Sequence, residues 1–201
     1  TLMSRELKVI DFQTELEGKK TDLFFLENRF GVRAAITNYG ARLVAIWVPD
    51  SNGEPDNIIA GYDTLAGYLD HDEAYLGAMV GRYANRIKDA AFELGDKNYS
   101  VRANEGEHHI HGGEKGFHNT VWQAEQKMKN SLNLKLWSED GEEGFPGNIE
   151  VTVNYRFNED DELILETEAT TDRDTILNIT NHAYFNLSGE NDCTTASSDR
   201  L

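Results

Sequence analysis

The segment "SLNLKLWSEDGEEGFPGNIEVTVNYRFNEDDELILETEA" (131–169) contains three runs in which apolar and polar residues alternate. The apolar positions of these runs fall within 132–136, 151–157 and 163–167. Successive side chains of a strand point to opposite faces of a sheet, so a period of two predicts strands with one buried face. The stretches between the runs, "EDGEEGFPGN" and "NEDDE", are rich in turn-forming residues. The segment therefore predicts consecutive antiparallel strands.

The rest of the chain supports the same fold class. "GVRAAITNYGARLVAIWVP" (31–49) predicts two strands joined around residues 38–40, and only "DTLAGYLDHDEAYLG" (63–77) has a helical pattern, which is brief. No internal repeat, low-complexity tract or linker interrupts the sequence. We therefore expect one all-β domain over residues 1–201, an antiparallel sandwich or barrel with many short strands.

Composition excludes several classes of function. The chain has 201 residues, 36 acidic against 19 basic side chains, and a formal net charge of −17. Such a surface repels phosphate backbones and anionic lipid, so we expect no nucleic-acid or membrane partner. Cys193 is the single cysteine, which rules out an internal disulfide framework. No apolar stretch approaches a membrane span, and "TLMSRELKVI" (1–10) has no signal-peptide pattern, so we expect a soluble, cytoplasmic protein.

A long glycine-containing segment, 81–118, has no sustained apolar period and is typical of a functional loop. Within it, "EGEHHIHGG" (105–113) offers a candidate metal site, because on an extended backbone His109 and His111 share a face with Glu107. Cupin-type barrels use His-x-His with a carboxylate in this way. The further ligands that such a site needs are not at the right spacing, so we expect no metal.

The histidines of this motif are not expected to be equivalent. We predict that His108 and His109 are surface residues of the loop. His111 is followed by Gly112 and Gly113, and two glycines allow the backbone to approach a ligand closely. His111 is therefore the candidate site residue of the three.

Two further clusters of polar residues are candidates for ligand binding. In "GRYANRI" (81–87) we expect Arg82 to be a solvated partner of a carboxylate, whereas Asn85 and Arg86 form a donor set suited to sugar hydroxyls or a carboxylate. In "NITNHAYFNL" (178–187), His182 and four other polar side chains follow an apolar strand and need partners in the fold or a ligand. Neither cluster has the elbow of a hydrolase triad or the strand–loop–helix unit of a phosphate loop.

Together these segments resemble the aldose 1-epimerase (galactose mutarotase) family in order and spacing, over about residues 31–189. The segments that carry the resemblance are "ITNYGARLVAIWVPD" (36–50), "GRYANRI" (81–87), "IHGGEKGF" (110–117) with "VW" (121–122), "DGEEGFPGN" (140–148) and "NITNHAYFNLSG" (178–189). The fold that the resemblance implies is a large antiparallel β-sandwich, which agrees with the alternation.

The resemblance implies interconversion of the α and β anomers of a free hexose, galactose or glucose, by acid–base ring opening and closure without a cofactor. It assigns His182 as the general acid, a role that suits histidine because this side chain ordinarily titrates near neutral pH. It assigns His111 to holding the sugar near its ring oxygen and assisting proton transfer. Asn85, Arg86 and Tyr184 are the expected sugar-binding residues.

The sequence departs from the family pattern in one respect. The family's catalytic base is a glutamate in the C-terminal third of a longer chain, and no acidic residue here matches it. We therefore expect an N-terminal part of a mutarotase-like sandwich, incomplete at its C-terminus, poorly active alone, and a monomer or weak homodimer. The alternative is a carbohydrate-binding or sugar-sensing protein of the same fold without turnover.

Overall fold

Strands dominate the computed structural model, which describes residues 6–70 and 75–189. In chain order the strands are β1 Glu15–Leu16, β2 Lys19–Lys20, β3 Leu23–Glu27, β4 Arg33–Thr37, β5 Arg42–Pro49, β6 Pro55–Asn57, β7 Met79–Val80, β8 Arg86–Ile87, β9 Ala91–Leu94, β10 Lys97–Ser100, β11 His109–Ile110, β12 Gln123–Met128, β13 Ser131–Ser138, β14 Ile149–Phe157, β15 Leu163–Thr171 and β16 Thr180–Asn181. One α-helix, α1, spans Leu65–Asp70, and short 3-10 turns span Val9–Phe12, Lys88–Ala90, Phe117–Asn119 and Glu142–Gly144.

The alternating segment forms a four-stranded antiparallel sheet in the order β12-β13-β14-β15. Leu134 pairs with Val153, which pairs with Thr167 on the next strand. Leu132 and Leu134 are fully buried, as are Val151 and Val153, while the residues between them face outward. The period of two therefore marks a sheet with one face in the core and one in solvent, as predicted.

A second antiparallel sheet has the order β3-β4-β5-β6. Its central strands are buried on both faces, which explains why 31–49 is almost continuously apolar rather than alternating. One face joins the core shared with β13 and β14, and the other is covered by Phe12 and by Leu65 and Tyr68 of α1. The two packed sheets confirm the expected antiparallel β-sandwich.

Helical structure is as limited as the sequence indicates. Within the predicted helix at 63–77, the structure has the six-residue helix α1, and residues 71–74 lie outside the described ranges. Residues 190–201, which include Cys193, also lie outside them. Within the part of the chain that the structure describes, no helix is long or apolar enough to cross a lipid bilayer.

The segment 81–118 contains more regular structure than its composition predicts. It forms the hairpin β9–β10 and the short pair β8–β11, in which His109 lies opposite Ile87. The prediction that His109 is a surface residue is wrong, because its side chain is fully buried. Its Nδ1 lies 2.7 Å from the Arg102 carbonyl oxygen, and its ring packs edge-on against Phe145 at 5.2 Å.

Arg82 is also buried, contrary to the prediction of a solvated ion pair. Its guanidinium donates to Ser138 Oγ at 2.9 Å and to the carbonyl oxygens of Ser138, Glu139 and Pro146 at 3.0, 2.6 and 3.1 Å. Arginine can satisfy several buried acceptors at once because its donors are arranged in a planar fork. The "GRYANRI" motif is thereby tied to the turn that follows β13.

Arg42 on β5 is a second buried arginine with a structural role. It is fully buried, and it donates to the Leu76 carbonyl oxygen and to the His118 carbonyl oxygen, each at 2.9 Å. Its Cζ lies 5.3 Å from the Tyr39 ring centroid and 5.1 Å from that of Tyr68. A buried cation is tolerated where hydrogen bonds and aromatic faces replace its hydration.

Replacing Arg42 with methionine should lower the free energy of unfolding by about 2–5 kcal/mol. Two buried carbonyl groups would lose their donor, and each such loss costs about 1–3 kcal/mol. Arg33→Met is the matched control, because Arg33 is exposed on the neighbouring strand and should cost less than about 1 kcal/mol. Urea unfolding of both variants tests this, and equal costs would contradict the role of Arg42.

Buried histidines should make the fold sensitive to acid. Burial lowers the pKa of His118 to about 3, with Arg42 and His111 adding to the effect, and burial also lowers the pKa of His109. The unfolded chain therefore binds more protons than the folded one below pH ~6.5, so stability present above that pH is lost as pH falls.

Between pH 6 and pH 5, each such histidine should contribute up to about 1.4 kcal/mol of lost stability per pH unit. The His118→Asn variant should show a shallower slope than the wild type in urea unfolding over this range. Comparing slopes separates the effect from any general loss of stability in the variant. Identical slopes would show that His118 is not held neutral by the fold.

Candidate active site

His182 is held by backbone hydrogen bonds at the end of β16. This strand pairs with β7, with Thr180 opposite Val80. The His182 N–H donates to the Ala78 carbonyl oxygen at 2.8 Å, and the His182 carbonyl accepts the Gly77 N–H at 3.0 Å. The main chain is therefore fixed on both sides of the imidazole, which is half-buried.

The neighbouring asparagines of "NITNHAYFNL" are satisfied within the fold. Asn181 Nδ2 donates to the Gly77 carbonyl and to the hydroxyl of the buried Tyr155, both at 3.0 Å. Asn178 Nδ2 donates to the Ala84 carbonyl at 3.0 Å. These amides hold the segment against the sheet and the "GRYANRI" loop, which leaves His182 and the exposed Tyr184 as its candidates for ligand contact.

His111 follows β11 and adopts the left-handed backbone conformation, with φ of 52°. Its N–H donates to the Asn85 carbonyl at 3.1 Å, and the Asn85 N–H donates to His111 Nδ1 at 2.8 Å. Because Nδ1 accepts a hydrogen bond, it carries no proton, and the proton of the neutral imidazole is on Nε2. Asn85 thus sets the tautomer of His111 through its main chain.

The rings of His111 and His182 meet at one place on the molecule. Their centroids are 5.3 Å apart and the ring planes are nearly perpendicular, at 87°. The Tyr184 ring lies 5.0 Å from His182 and close to parallel, at 26°. The structure therefore brings together all five residues that the resemblance assigned to the site, with Asn85 bonded both to His111 and to Arg86.

Burial and nearby groups favour a neutral His111. Its pKa is lowered, first by burial and then by the nearby His182 and Arg86, with Glu105 acting weakly in the opposite direction. At neutral pH His111 is therefore an uncharged imidazole that can donate a hydrogen bond from Nε2.

Arg86 and Asn85 lie beside His111 on the exposed side. The Arg86 guanidinium donates to both carboxylate oxygens of Glu105, from Nε to Oε2 at 2.5 Å and from Nη2 to Oε1 at 2.6 Å. This bond lowers the pKa of Glu105. Asn85 Oδ1 accepts the Arg86 N–H at 2.9 Å, so the two predicted sugar-binding residues support each other.

The glycines after His111 lie against other parts of the chain. A Cβ on Gly112, where φ is +85°, would lie 1.8 Å from the Gly81 carbonyl oxygen, and one on Gly113 would lie 2.1 Å from Glu143 Oε2. The close approach is therefore to the protein's own chain. Glu143 also accepts the Lys115 N–H at 2.8 Å and so holds this loop.

The left-handed conformation of His111 also breaks the expected alternation. His109 is buried against Phe145, whereas His111 turns toward His182, so the two do not present one face for a metal. Across residues 6–70 and 75–189, no three histidine, cysteine or acidic side chains lie in a metal-binding arrangement.

Sequence reasoning missed Tyr75, His118 and Glu105. Tyr75 packs on both site histidines, with ring centroids 4.6 Å from His111 and 5.9 Å from His182. It lies in the segment with a helical pattern and gave no signal of its own. Glu105 begins the histidine motif, and its pairing with Arg86, 19 positions earlier, depends on the β9–β10 hairpin that lies between them.

Comparison with known proteins identifies the family of the chain. The sequence profile of the aldose 1-epimerase family matches residues 22–201. An aldose 1-epimerase from Haemophilus influenzae is 39% identical over 171 residues, 85% of this chain and 49% of the relative. A galactose mutarotase from Bos taurus is 38% identical over 159 residues, 79% of this chain and 46% of the relative.

Solved structures give the same result. A GalM/aldose epimerase homologue from C. elegans superposes with a TM-score of 0.79 at 32% identity, covering 83% of this chain and 51% of that one. Galactose 1-epimerase from Lactobacillus acidophilus gives 0.77 at 30% identity, covering 87% and 52%. The chain spans about half the length of the curated relatives it matches. On its sequence, its sandwich fold and these matches, the chain belongs to the aldose 1-epimerase family.

Proposed function

We propose that the full-length protein interconverts the α and β anomers of a free hexose such as galactose or glucose, bound against His111 and His182. The reaction needs a proton delivered to the ring oxygen while another leaves the anomeric hydroxyl. The ring opens to the aldehyde, the C1–C2 bond rotates, and closure gives either anomer. The observation that carries the proposal is the 5.3 Å spacing of the two imidazole rings, which suits joint contact with one sugar.

In this proposal His182 is the general acid and His111 positions the ring oxygen. The lowered pKa of His111 supports its part, since a neutral ring with its proton on Nε2 donates a hydrogen bond without carrying charge. Asn85, Arg86 and Tyr184 bind sugar hydroxyls or the sugar face. No redox or group-transfer step occurs, so the proposed reaction uses no cofactor.

The catalytic base is proposed to lie outside residues 1–201. Glu105 is the carboxylate that acts on His111, but its pKa is lowered because Arg86 donates to both of its oxygens. A carboxylate held in this way is a weak proton acceptor. Relatives of about twice the length leave room for a glutamate elsewhere in the full-length protein.

The partner in this proposal is a small sugar, and the net charge of −17 argues against phosphate-backbone partners. We also propose a cytoplasmic monomer or weak homodimer. A specific observation favours a second candidate for residues 1–201 alone: the engagement of Glu105 by Arg86 suits a carbohydrate-binding fragment without turnover.

In the full-length protein, His182→Ala should lower kcat by about 10²–10⁴, the usual contribution of one general acid. His111→Ala should also raise KM, because it removes binding as well as proton transfer. His108→Ala is the control, since this half-exposed histidine lies outside the ring cluster and bonds to Asp89. Polarimetry on freshly dissolved α-galactose or α-glucose measures the rates, and unchanged mutarotation in His182→Ala would place the acid elsewhere.

Residues 1–201 alone should mutarotate near the uncatalysed rate, because loss of a general base costs about 10²–10⁴ in rate. The full-length protein should be active at the same concentration. A fragment as active as the full-length protein would mean that a carboxylate within residues 1–201 is the base. If calorimetry shows sugar binding but neither residues 1–201 nor the full-length protein accelerates mutarotation, the carbohydrate-binding alternative is favoured.

A further inference from the structure

Tyr75 is the common neighbour of three imidazole rings. Its ring centroid lies 4.6 Å from His111 with the planes at 71°, and 4.7 Å from His118 with the planes at 54°. It lies 5.9 Å from His182 and close to parallel, at 23°. A single aromatic side chain therefore contacts both proposed site histidines and the buried histidine behind them.

The backbone that carries Tyr75 is fixed from within the core. The Tyr75 carbonyl accepts the Ala78 N–H at 2.9 Å, and Arg42 donates to the carbonyl of the next residue, Leu76, at 2.9 Å. The same guanidinium donates to the His118 carbonyl at 2.9 Å. Arg42 thus holds the segment that carries Tyr75 and the segment that carries His118 at a fixed distance from each other.

We propose that Tyr75 is a positioning residue that fixes the mutual orientation of His111 and His182 through its ring, without contacting the sugar. The inference rests on the proposed function and adds a residue to it. Aromatic rings prefer edge-to-face and offset-stacked arrangements, so contacts of this kind favour one ring orientation over others. Misplacement of a reacting group by about 1 Å can cost about 10²-fold in rate, so such selection matters to catalysis.

Tyr75 differs in kind from the titratable groups that act on His111. His182, Arg86, Glu105 and His109 act on His111 electrostatically. Tyr75 supplies an aromatic wall that packs against the His111 ring, with centroids 4.6 Å apart, and covers part of it. Removing that wall should reorient His111 and expose it to solvent, whereas a phenylalanine should preserve both effects.

The test compares Tyr75→Ala and Tyr75→Phe in the full-length protein. By polarimetry, Tyr75→Ala should lower kcat about 10- to 100-fold while KM changes less than about threefold, because a positioning residue acts on the chemical step. Tyr75→Phe should stay within about twofold of wild type. Tyr99→Ala is the matched control, since the Tyr99 ring stacks on Phe92 at 5.3 Å in the β9–β10 hairpin and should leave kcat unchanged.

A second readout separates this inference from the proposed function. NMR titration of the histidine Cε1–H signals should show the His111 midpoint rising toward ~6.5 in Tyr75→Ala and unchanged in Tyr75→Phe and Tyr99→Ala. This arm does not require activity, so it decides the role of Tyr75 even if the wild type proves inactive and the proposed function fails. An unchanged midpoint in Tyr75→Ala, or a loss in Tyr75→Phe as large as in Tyr75→Ala, would overturn the proposal.

Discussion

The buried guanidinium of Arg42 is the constraint on which the site region depends. It joins β5 of the core sheet to two loop carbonyls, those of Leu76 and His118, at 2.9 Å each. Gly40 makes room for this junction, because a Cβ there would lie 2.5 Å from the His118 carbonyl oxygen. The two chain segments that contain Leu76 and His118 are thereby bonded to the same core side chain. The rings that these segments carry, with His111 and His182 beside them, take their positions from that junction.

The motifs that identify the family are, in large part, packing devices that hold one another. Arg82 of "GRYANRI" is bonded to the turn after β13, and Glu143 of that turn is bonded to the loop after His111. Gly112 of that loop packs against the Gly81 carbonyl, so the loop also contacts the "GRYANRI" motif. The catalytic candidates lie at the edge of this interlocked set, where Asn85 meets His111 through reciprocal hydrogen bonds. Rigid support of this kind is what precise proton transfer requires.

The sheet fold could be predicted from sequence because alternation and turn residues are local signals, as in 131–169. The strands buried on both faces were also predictable as strands. The burial of Arg82 and His109 could not be predicted, because the residues that contact them, Ser138 and Phe145, are distant in sequence. The proximity of His111 and His182 could be predicted only from the family resemblance. His111 has a left-handed backbone conformation, so its side chain does not point to the face that strand alternation predicts. Tyr75 required the tertiary structure.

The central claim is that His111 and His182 share one sugar site, with His111 held as the Nε2–H tautomer by Asn85. The most direct measurement is a ¹H–¹⁵N correlation spectrum of the imidazole nitrogens of the full-length protein, recorded during titration with galactose. The account predicts an Nε2–H pattern for His111 before sugar is added, and sugar-dependent shifts of His111 and His182 with a single dissociation constant, while His108 stays unchanged. An Nδ1–H pattern for His111, or shifts confined to one of the two histidines, would contradict it.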